Sequence, residues 1–256
     1  MHTRSASLSI IVPTLNEEGN IALLIERIAR AMAPTTIPYD ILFIDDFSDD
    51  NTVAVINSFK DKYPVAVEQK RGERGKAFSI LQGVDSATGD VLCMIDADLQ
   101  YPPESIPEMV RFITEENADV VVTRRVSNDT SALRKFVSAS YNFVFTRALF
   151  GIDYDTQSGL KVFRRSVFDG LEMHPSPWSF DLEFIVQCLL RRYRIVSHDI
   201  DFAKRHSGPV KLSVVKASLE IMKATLSLRA KVSRRQVRAG FENNRAFVAR
   251  IHGATS

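Results

Sequence analysis

Several features that would place this chain in a specialised protein class are missing from its sequence. Of 256 residues only Cys93 and Cys188 are cysteines, and each lies inside an apolar run. This pattern predicts buried thiols in a reducing compartment and excludes a disulfide framework. No apolar run reaches the roughly 18 residues of a membrane-spanning helix, and residues 1–9 lack the apolar centre of a secretory signal. We therefore expect a cytoplasmic protein whose contact with a membrane is peripheral.

The chain also lacks a strong net charge, but its charges are unevenly distributed. The formal net charge is +2, yet Lys204–Arg250 contains 12 lysine and arginine residues against 2 acidic residues. A solvated helical surface would explain this basic segment, and so would attraction to anionic lipid or to a phosphorylated substrate. No recognised nucleic-acid-reading module accompanies the charge, which argues against nucleic acid as a partner.

Short apolar runs alternate with helical patterns through the first half of the chain. The helical patterns lie at residues 21–32, 51–60, 76–85 and 104–116. This alternation predicts an α/β fold with a mostly parallel sheet and helices on both faces. The runs that predict buried strands are Leu8–Val12, Ile41–Ile44, Val65–Val67, Val91–Ile95 and Asp119–Val122.

Two segments of the second half predict helices with basic residues between the apolar ones. Leu133–Phe150 fits a buried core helix, and it also fits a helix in a membrane interface. Ser213–Val232 predicts an amphipathic helix. We expect a main domain over residues 1–212 and a basic amphipathic helical tail over residues 213–256, loosely ordered after Val232.

Polar and acidic residues directly follow three of the predicted strands. Pro13–Glu17 follows the first strand, Asp45–Asp49 the second and Asp96–Gln100 the fourth. Ligands of open α/β sheets bind beyond the carboxyl ends of the strands, so the three groups should meet at one edge.

The residues of these loops suggest a metal and a nucleotide. Asp96, Asp98 and Gln100 are candidate ligands of Mg²⁺ or Mn²⁺, because two carboxylates at a strand end can share a hard cation with substrate phosphates. An ordinary acidic surface turn is the alternative. Asp45 and Asp46 could accept hydrogen bonds from a base or ribose while Ser48 or Asp49 caps the next helix, although helix capping could explain the whole acidic turn.

The three motifs in this order resemble the family 2 glycosyltransferases, and most closely the polyprenol-phosphate sugar synthases of the dolichyl-phosphate mannose synthase type. The resemblance covers about residues 8–212. Later matches support the subgroup, namely Thr123-Arg124, Arg134 with Ser138, residues 155–161, and Arg205 with Lys211-Leu212.

The resemblance implies a GT-A fold, in which a nucleotide-diphospho-sugar is the donor, and it assigns roles to individual residues. It implies that Arg124, Arg134, Ser138 and Arg205 hold the phosphate of a lipid acceptor and that Asp98 is catalytic. Guanidinium groups suit that task, because they bind phosphate oxygens through paired hydrogen bonds. The implied donor-binding residues are Pro13, Asn16, Glu17, Asp45, Asp46, Arg74, Gly75, Asp96 and Lys211.

Two features depart from family patterns. Ala77 stands where the glycine-rich loop of the family has its second glycine, so a positive φ at Ala77 would be strained. The Gln-x-x-Arg-Trp motif of processive sugar polymerases is absent, and the single tryptophan, Trp178, is followed by Asp181 and Glu183. Those carboxylates are candidate bases for a hydroxyl acceptor, or Asp181 simply caps a helix.

The preferred hypothesis is a metal-dependent inverting transferase that moves a sugar from a nucleoside diphosphate to a polyprenyl phosphate at the cytoplasmic face of a membrane. Its partners would be those two substrates, an anionic membrane surface and a membrane protein. One alternative is the same donor chemistry with a hydroxyl acceptor on a glycan or small molecule. Another is a catalytically inert module that binds nucleotide sugars.

Overall fold

The structure is a computed structural model that describes residues 6–126, 150, 154, 158–174, 180–207, 223 and 225–253. Its strands are β1 (Leu8–Thr14), β2 (Tyr39–Asp45), β3 (Val65–Gln69), β4 (Val91–Met94), β5 (Val120–Arg125), β6 (Lys161–Arg164) and β7 (Ile195–Ile200). Its α-helices are α1 (Glu18–Met32), α2 (Thr52–Asn57), α3 (Lys76–Ser86), α4 (Ile106–Thr114), α5 (Arg165–Asp169), α6 (Phe180–Leu190) and α7 (Arg234–Gly253), and a 3₁₀ turn at Pro103–Ser105 precedes α4.

The strands described form one sheet in the order β3-β2-β1-β4-β6-β5-β7. Strand β6 pairs antiparallel with both β4 and β5, and the other pairs are parallel. All strands except β6 therefore end at the same edge of the sheet. The predicted α/β fold and its first five strands are confirmed, whereas β6 and β7 were not predicted.

The core lies on both faces of the sheet because the strands alternate their side chains between two helical layers. In β5, Val121 packs with the layer that contains α1 and α4. Its neighbours Val120 and Val122 pack with the layer that contains α3 and α6. Helix α1 buries Ile21, Leu24, Ile25, Ile28 and Met32, so the predicted helical stripe is its inner face.

Both cysteines are free and buried, as the sequence predicts. Burial raises the pKa of the Cys93 and Cys188 thiols, because an apolar environment disfavours the thiolate. These thiols are part of the core packing.

The basic C-terminal segment contributes a packed helix. Val237 of α7 is fully buried, and the side chain of Asn244 accepts from the Ile195 N–H at 2.8 Å and donates to the Ile195 carbonyl at 2.7 Å. The expectation of loose order after Val232 is therefore wrong. Because Ile195 is the first residue of β7, these contacts anchor α7 at the edge opposite to the carboxyl ends of the parallel strands. Among the described helices, none has both the length and the apolar character needed to cross a bilayer.

Candidate active site

Three loops meet at the carboxyl edge of the sheet, as the motif spacing predicts. The loops after β1 and β2 are joined by hydrogen bonds from Asn16 N to Ser48 Oγ, from Asp49 N to Asn16 Oδ1 and from Glu17 N to Thr52 Oγ1, at 2.8, 2.8 and 2.7 Å. The predicted cap at Asp49 is wrong, because the Asp50 carboxylate accepts the Thr52 N–H.

Each of the three loops contains one non-glycine residue in the left-handed region of backbone space. They are Asn16, Phe47 and Leu99, with φ of 52°, 62° and 62°. Such conformations carry strain that the surrounding contacts must offset, and they are enriched at binding sites. Their coincidence at one edge marks that edge as the candidate site.

The two aspartates after β2 have different tasks. Asp45 is buried, and its Oδ2 accepts the Ser48 N–H at 3.1 Å, whereas its Oδ1 has no hydrogen-bond partner in the part of the chain described. Asp46 pairs with the fully buried Lys70 ammonium at 2.6 Å and accepts the Gly75 N–H at 2.8 Å. Asp46 thus holds the loop before α3, and Asp45 keeps an acceptor for a ligand.

The glycine-rich loop shows how the Ala77 departure is accommodated. Gly75 has a φ of +134°, which an L side chain rarely adopts, whereas Ala77 lies in the first turn of α3 with helical backbone. The substitution therefore causes no strain. Arg74 donates to the Phe47 carbonyl at 3.2 Å, and its guanidinium carbon lies 5.4 Å from the centre of the Phe47 ring, in the loop after β2.

The paired carboxylates after β4 are each held by a cation of the protein. Asp96 Oδ1 lies 2.6 Å from Lys76 Nζ, and Asp98 Oδ2 lies 3.4 Å from Arg205 Nη1. Burial, followed by repulsion from Asp96, raises the pKa of Asp98 to about 6, although the Gln100 N–H and Arg205 act in the opposite direction. Burial would lower the pKa of Lys76, but the charges of Asp96 and Asp181 raise it above its ordinary value.

Asp96 is also positioned by the second half of the chain. A β-carbon at Gly159 would overlap the Asp96 carboxylate and would lie 2.8 Å from Tyr101 Cε2. Glycine at this position therefore permits the close approach of the loop before β6 to the Asp96 side chain.

Only part of the predicted acceptor site can be placed. Arg205 reaches Asp98 across 107 positions of sequence. Arg124 makes a two-pronged ion pair with Asp199, its register partner on β7, with both distances 2.7 Å. Arg134, Ser138 and Lys211, and the helix predicted at 133–150 apart from Phe150, lie outside the described residues.

The candidate bases on α6 are already engaged. Asp181 Oδ1 lies 2.6 Å from the Nζ of Lys161, which is fully buried and also donates to the Ser158 carbonyl. Glu183 is buried and accepts the His174 N–H at 3.0 Å. Both carboxylates thus have structural partners in the protein.

Comparison of the sequence with known protein families identifies the family of this chain. The profile of the family described as glycosyl transferase family 2 matches residues 9–171. The chain belongs to glycosyl transferase family 2. The family resemblance inferred from the three loops is therefore confirmed.

Curated relatives of this family 2 protein include transferases named for polyprenyl phosphates. Undecaprenyl-phosphate 4-deoxy-4-formamido-L-arabinose transferase of Yersinia enterocolitica is 31% identical over 212 residues, which cover 82% of this chain and 63% of the relative. Dolichol-phosphate mannosyltransferase of Pyrococcus furiosus is 31% identical over 212 residues, covering 80% of this chain and 59% of the relative. The chain thus spans about three fifths of the length of these relatives.

Solved structures confirm the GT-A type of fold. Glucosyl-3-phosphoglycerate synthase from Mycobacterium tuberculosis in complex with phosphoglyceric acid superposes with a TM-score of 0.71 at 17% identity, over 89% of this chain and 81% of that one. The same enzyme in complex with Mn²⁺ and UDP-glucose gives 0.70 at 18% identity, over 89% and 80%.

The carboxylates that follow β4 fit a divalent cation whose coordination shell is completed by substrate oxygens and water. The described residues include no group of three or more His, Cys, Asp or Glu side chains arranged to hold a metal ion. Mg²⁺ is commonly bound by one or two carboxylates together with substrate phosphates and water, and Asp96 and Asp98 offer that set. The Gln100 amide donates to the Ala203 carbonyl at 3.2 Å, which leaves its oxygen as the remaining candidate.

Sequence reasoning missed three lysines of this site. Lys70, Lys76 and Lys161 each pair with an aspartate at 2.6 Å. A lysine one residue after Gly75 at a helix start was a usable signal for Lys76. Lys161 ends the matched stretch 155–161, but nothing local indicates its pairing with an aspartate 20 residues further along the chain.

Proposed function

We propose that this protein transfers a sugar from a nucleoside diphosphate to a polyprenyl phosphate. The observation that carries the proposal is the Arg205 guanidinium beside Asp98, which places a phosphate-binding group next to a carboxylate suited to a metal. The names of the relatives support the acceptor class, and the Mn²⁺ and UDP-glucose in the structural neighbour support the donor class.

On the donor side, the carboxylates supply position and charge. Asp96 and Asp98 would hold Mg²⁺ or Mn²⁺, which when bound neutralises charge on the leaving diphosphate. The Asp45 Oδ1 would accept from the base or ribose. Pro13 lies near the end of β1, and Asn16, Arg74 and Gly75 belong to the loops around that position.

On the acceptor side, little proton transfer is required. An oxygen of the acceptor phosphate is already anionic and would attack the anomeric carbon from the side opposite the diphosphate. The new bond joins that oxygen to the anomeric carbon while the bond to the diphosphate oxygen breaks, so configuration inverts. Arg205 would bind and orient the phosphate, together with Arg124, Arg134 and Ser138.

The contact of Asp181 favours this reaction over transfer to a hydroxyl group. A hydroxyl acceptor needs a general base within hydrogen-bond reach. The Asp181 carboxylate instead faces the fully buried Lys161 ammonium at 2.6 Å, so this candidate base is already engaged within the protein. A phosphate acceptor needs no such base.

The proposal is tested by assaying a panel of nucleotide sugars with undecaprenyl phosphate and detecting the lipid product by mass spectrometry. We expect product only with a divalent cation present. The Arg205→Ala variant should lose about 100-fold in kcat/KM for the acceptor, since one partner of a charged contact is removed. Arg111→Ala on α4, which removes an exposed arginine from the pair with Glu116, serves as control. Transfer to soluble hydroxyl acceptors without any lipid product would contradict the proposal.

We further propose peripheral docking on anionic membranes, because a lipid acceptor presents its phosphate at headgroup level. Each well-placed cation contributes up to about 1 kcal/mol to such binding. Helix α7 exposes Arg234, Arg235 and Arg238, and it is anchored at the edge of the sheet opposite the candidate site. Because the edge with the site would face the membrane, a variant with all three arginines changed to Gln should keep most of the vesicle binding. Sedimentation with phosphatidylglycerol vesicles should decrease as salt rises, and no sedimentation at low salt would contradict docking.

A further inference from the structure

The segment that follows β7 lies directly over the loop that holds the paired aspartates. Ala203 N donates to the Gln100 carbonyl at 3.0 Å, and the Gln100 amide returns a bond to the Ala203 carbonyl at 3.2 Å. His206 N lies 3.4 Å from the Asp98 carbonyl. These backbone contacts fix residues 203–206 against the loop after β4 and deliver the Arg205 side chain to the site.

Arg205 connects two acidic loops. Its Nη1 faces Asp98 Oδ2 at 3.4 Å, its Nη2 donates to Glu17 Oε1, and its Nε donates to the Ser207 carbonyl at 2.9 Å. The other Glu17 oxygen accepts from the Asn20 amide at 2.5 Å, and that amide lies 3.3 Å from the Ser207 carbonyl. The three charged side chains are only 10–20% exposed, so water screens their interaction weakly.

The Arg205 guanidinium partly neutralises the negative charge of Asp98, which a divalent cation would also need. A guanidinium and a dication near the same carboxylate repel each other, and they compete for the same oxygens. Arg205 cannot keep its contact with Asp98 and at the same time turn to a phosphate, since its Nη groups already face two carboxylates. In the free protein, Glu17 binds the Arg205 guanidinium and thereby holds it beside Asp98, and the Asn20 amide in turn holds the Glu17 carboxylate.

We propose that Arg205 is an internal counter-ion of the metal site, positioned by Glu17, and that a divalent cation displaces it from Asp98. Displacement makes the guanidinium available to an acceptor phosphate only after the cation and the donor have bound. The displacement step stands on the contacts of Arg205 alone, whereas the acceptor step rests on the proposed function. In this proposal Glu17 is a positioning residue for Arg205 rather than a direct ligand of the donor.

Cation affinity tests the displacement step without any turnover. Mn²⁺ binding to the full chain, measured by isothermal titration calorimetry in the absence of nucleotide, should be about tenfold tighter in Arg205→Gln, because a repelling charge is removed. Arg205→Lys keeps the charge and should bind within about twofold of the wild type. Arg111→Gln removes an equal charge from α4 and should show wild-type affinity. Equal affinities in Arg205→Gln and Arg111→Gln would overturn the proposal.

A measurement on the unmodified protein keeps the displacement step falsifiable if Arg205→Gln does not fold. The Arg205 Nε–H resonance, assigned in Arg-labelled protein by comparison with Arg205→Lys, should shift on Mg²⁺ addition, whereas that of Arg111 should stay in place. An unchanged Arg205 resonance at saturating Mg²⁺ would overturn the displacement step.

Binding of farnesyl phosphate separates the acceptor step from the displacement step. Because coupling is reciprocal, Mg²⁺ with UDP or GDP should tighten farnesyl phosphate binding in the wild type and should have no such effect in Arg205→Gln. Displacement without this coupling would overturn the acceptor step and count against the polyprenyl phosphate acceptor, while the counter-ion role of Arg205 would stand.

Discussion

The site is built from two halves of the chain that contribute opposite charges. The loops after β1, β2 and β4 supply the carboxylates of Glu17, Asp45, Asp96 and Asp98, and these loops are largely held by hydrogen bonds to their neighbours. The part after residue 158 supplies Lys161, which pairs with Asp181 of the same half, and Arg205, which reaches Asp98 across 107 positions of sequence. Lys70 and Lys76 are exceptions, since they come from the first half.

The carboxylates of the first half define the chemistry of the site, whereas the cations of the second half adjust it. Carboxylates at strand ends are placed by the sheet itself, because parallel strands bring their carboxyl ends to one edge. The cations are placed by tertiary packing, so their positions depend on β6, α6 and the segment after β7. Changes in the first half should therefore affect turnover directly, and changes in the second half should affect folding and affinity.

The largest effect is expected in the acidic half. Asp98→Asn removes the charge of a proposed metal ligand at nearly constant volume, so transfer should fall by about 1000-fold or more while the fold is retained. Turnover assays with the product measured by mass spectrometry, together with circular dichroism, check both parts. Normal turnover of this variant, or of wild type in excess chelator, would refute the metal assignment and remove the distinction between the halves.

A large loss of stability is expected when the buried cation of the second half is removed. Lys161→Met leaves Asp181 without its partner at 2.6 Å, and breaking a buried pair typically costs about 3 kcal/mol of unfolding free energy. Urea denaturation measures this loss. The double variant Lys161→Met/Asp181→Asn should regain part of it. A double variant that is no more stable than Lys161→Met would show that the pair does not act as a unit.

A substitution at Gly159, where the second half of the chain contacts Asp96, should have an intermediate effect on metal binding. Gly159→Ala adds a β-carbon that collides with the Asp96 carboxylate, so the carboxylate must move. We expect Mn²⁺ binding, measured by calorimetry, to weaken about tenfold, since metal sites tolerate little displacement of a ligand. Gly72→Ala is the control, because Gly72 has a φ of +77° but no neighbour within 4 Å. Similar affinities in the two variants would show that Gly159 does not position Asp96.

The same contrast explains what the sequence could predict. Strands β1–β5 are visible because each contains a short apolar run, which is largely buried in β1, β2, β4 and β5, and their loops follow from the order of the motifs. Strand β6 begins with Lys161, whose charge is accommodated only because Asp181 and the Ser158 carbonyl meet it in the folded state. The contact of Arg205 with Glu17 spans 188 positions, a pairing that no local pattern encodes.

The packing of helix α7 against the domain is not evident from the sequence for a related reason. Its composition is strongly basic, and its buried stripe is narrow: Val237, Gly240 and Asn244 recur at intervals of three and four residues. Gly240 fits there because a β-carbon would overlap the Leu189 carbonyl of α6. A stripe of one apolar, one small and one amide residue gives a weak apolar periodicity, so the sequence predicts a helical tail but not the contacts of that helix with the domain.

The smallest effect is expected at Asn244, and it tests whether α7 stabilises the domain. Strand β7 is at the edge of the sheet, so the free side of its backbone needs partners, and the Asn244 amide bonds both the N–H and the carbonyl of Ile195. Asn244→Ala leaves the Ile195 N–H without its partner and leaves the carbonyl with the Tyr154 hydroxyl at 3.5 Å, so it should lower the free energy of unfolding by about 1 kcal/mol, which corresponds to a melting temperature lower by about 2–4 °C. Asn243→Ala, at the exposed neighbouring position, should change it by less than about 0.5 kcal/mol. Differential scanning calorimetry of the two variants compares a buried amide with an exposed one on the same turn. Equal melting temperatures would mean that α7 is dispensable for β7, and the C-terminal part would then be an appended tail whose basic residues are free for other contacts.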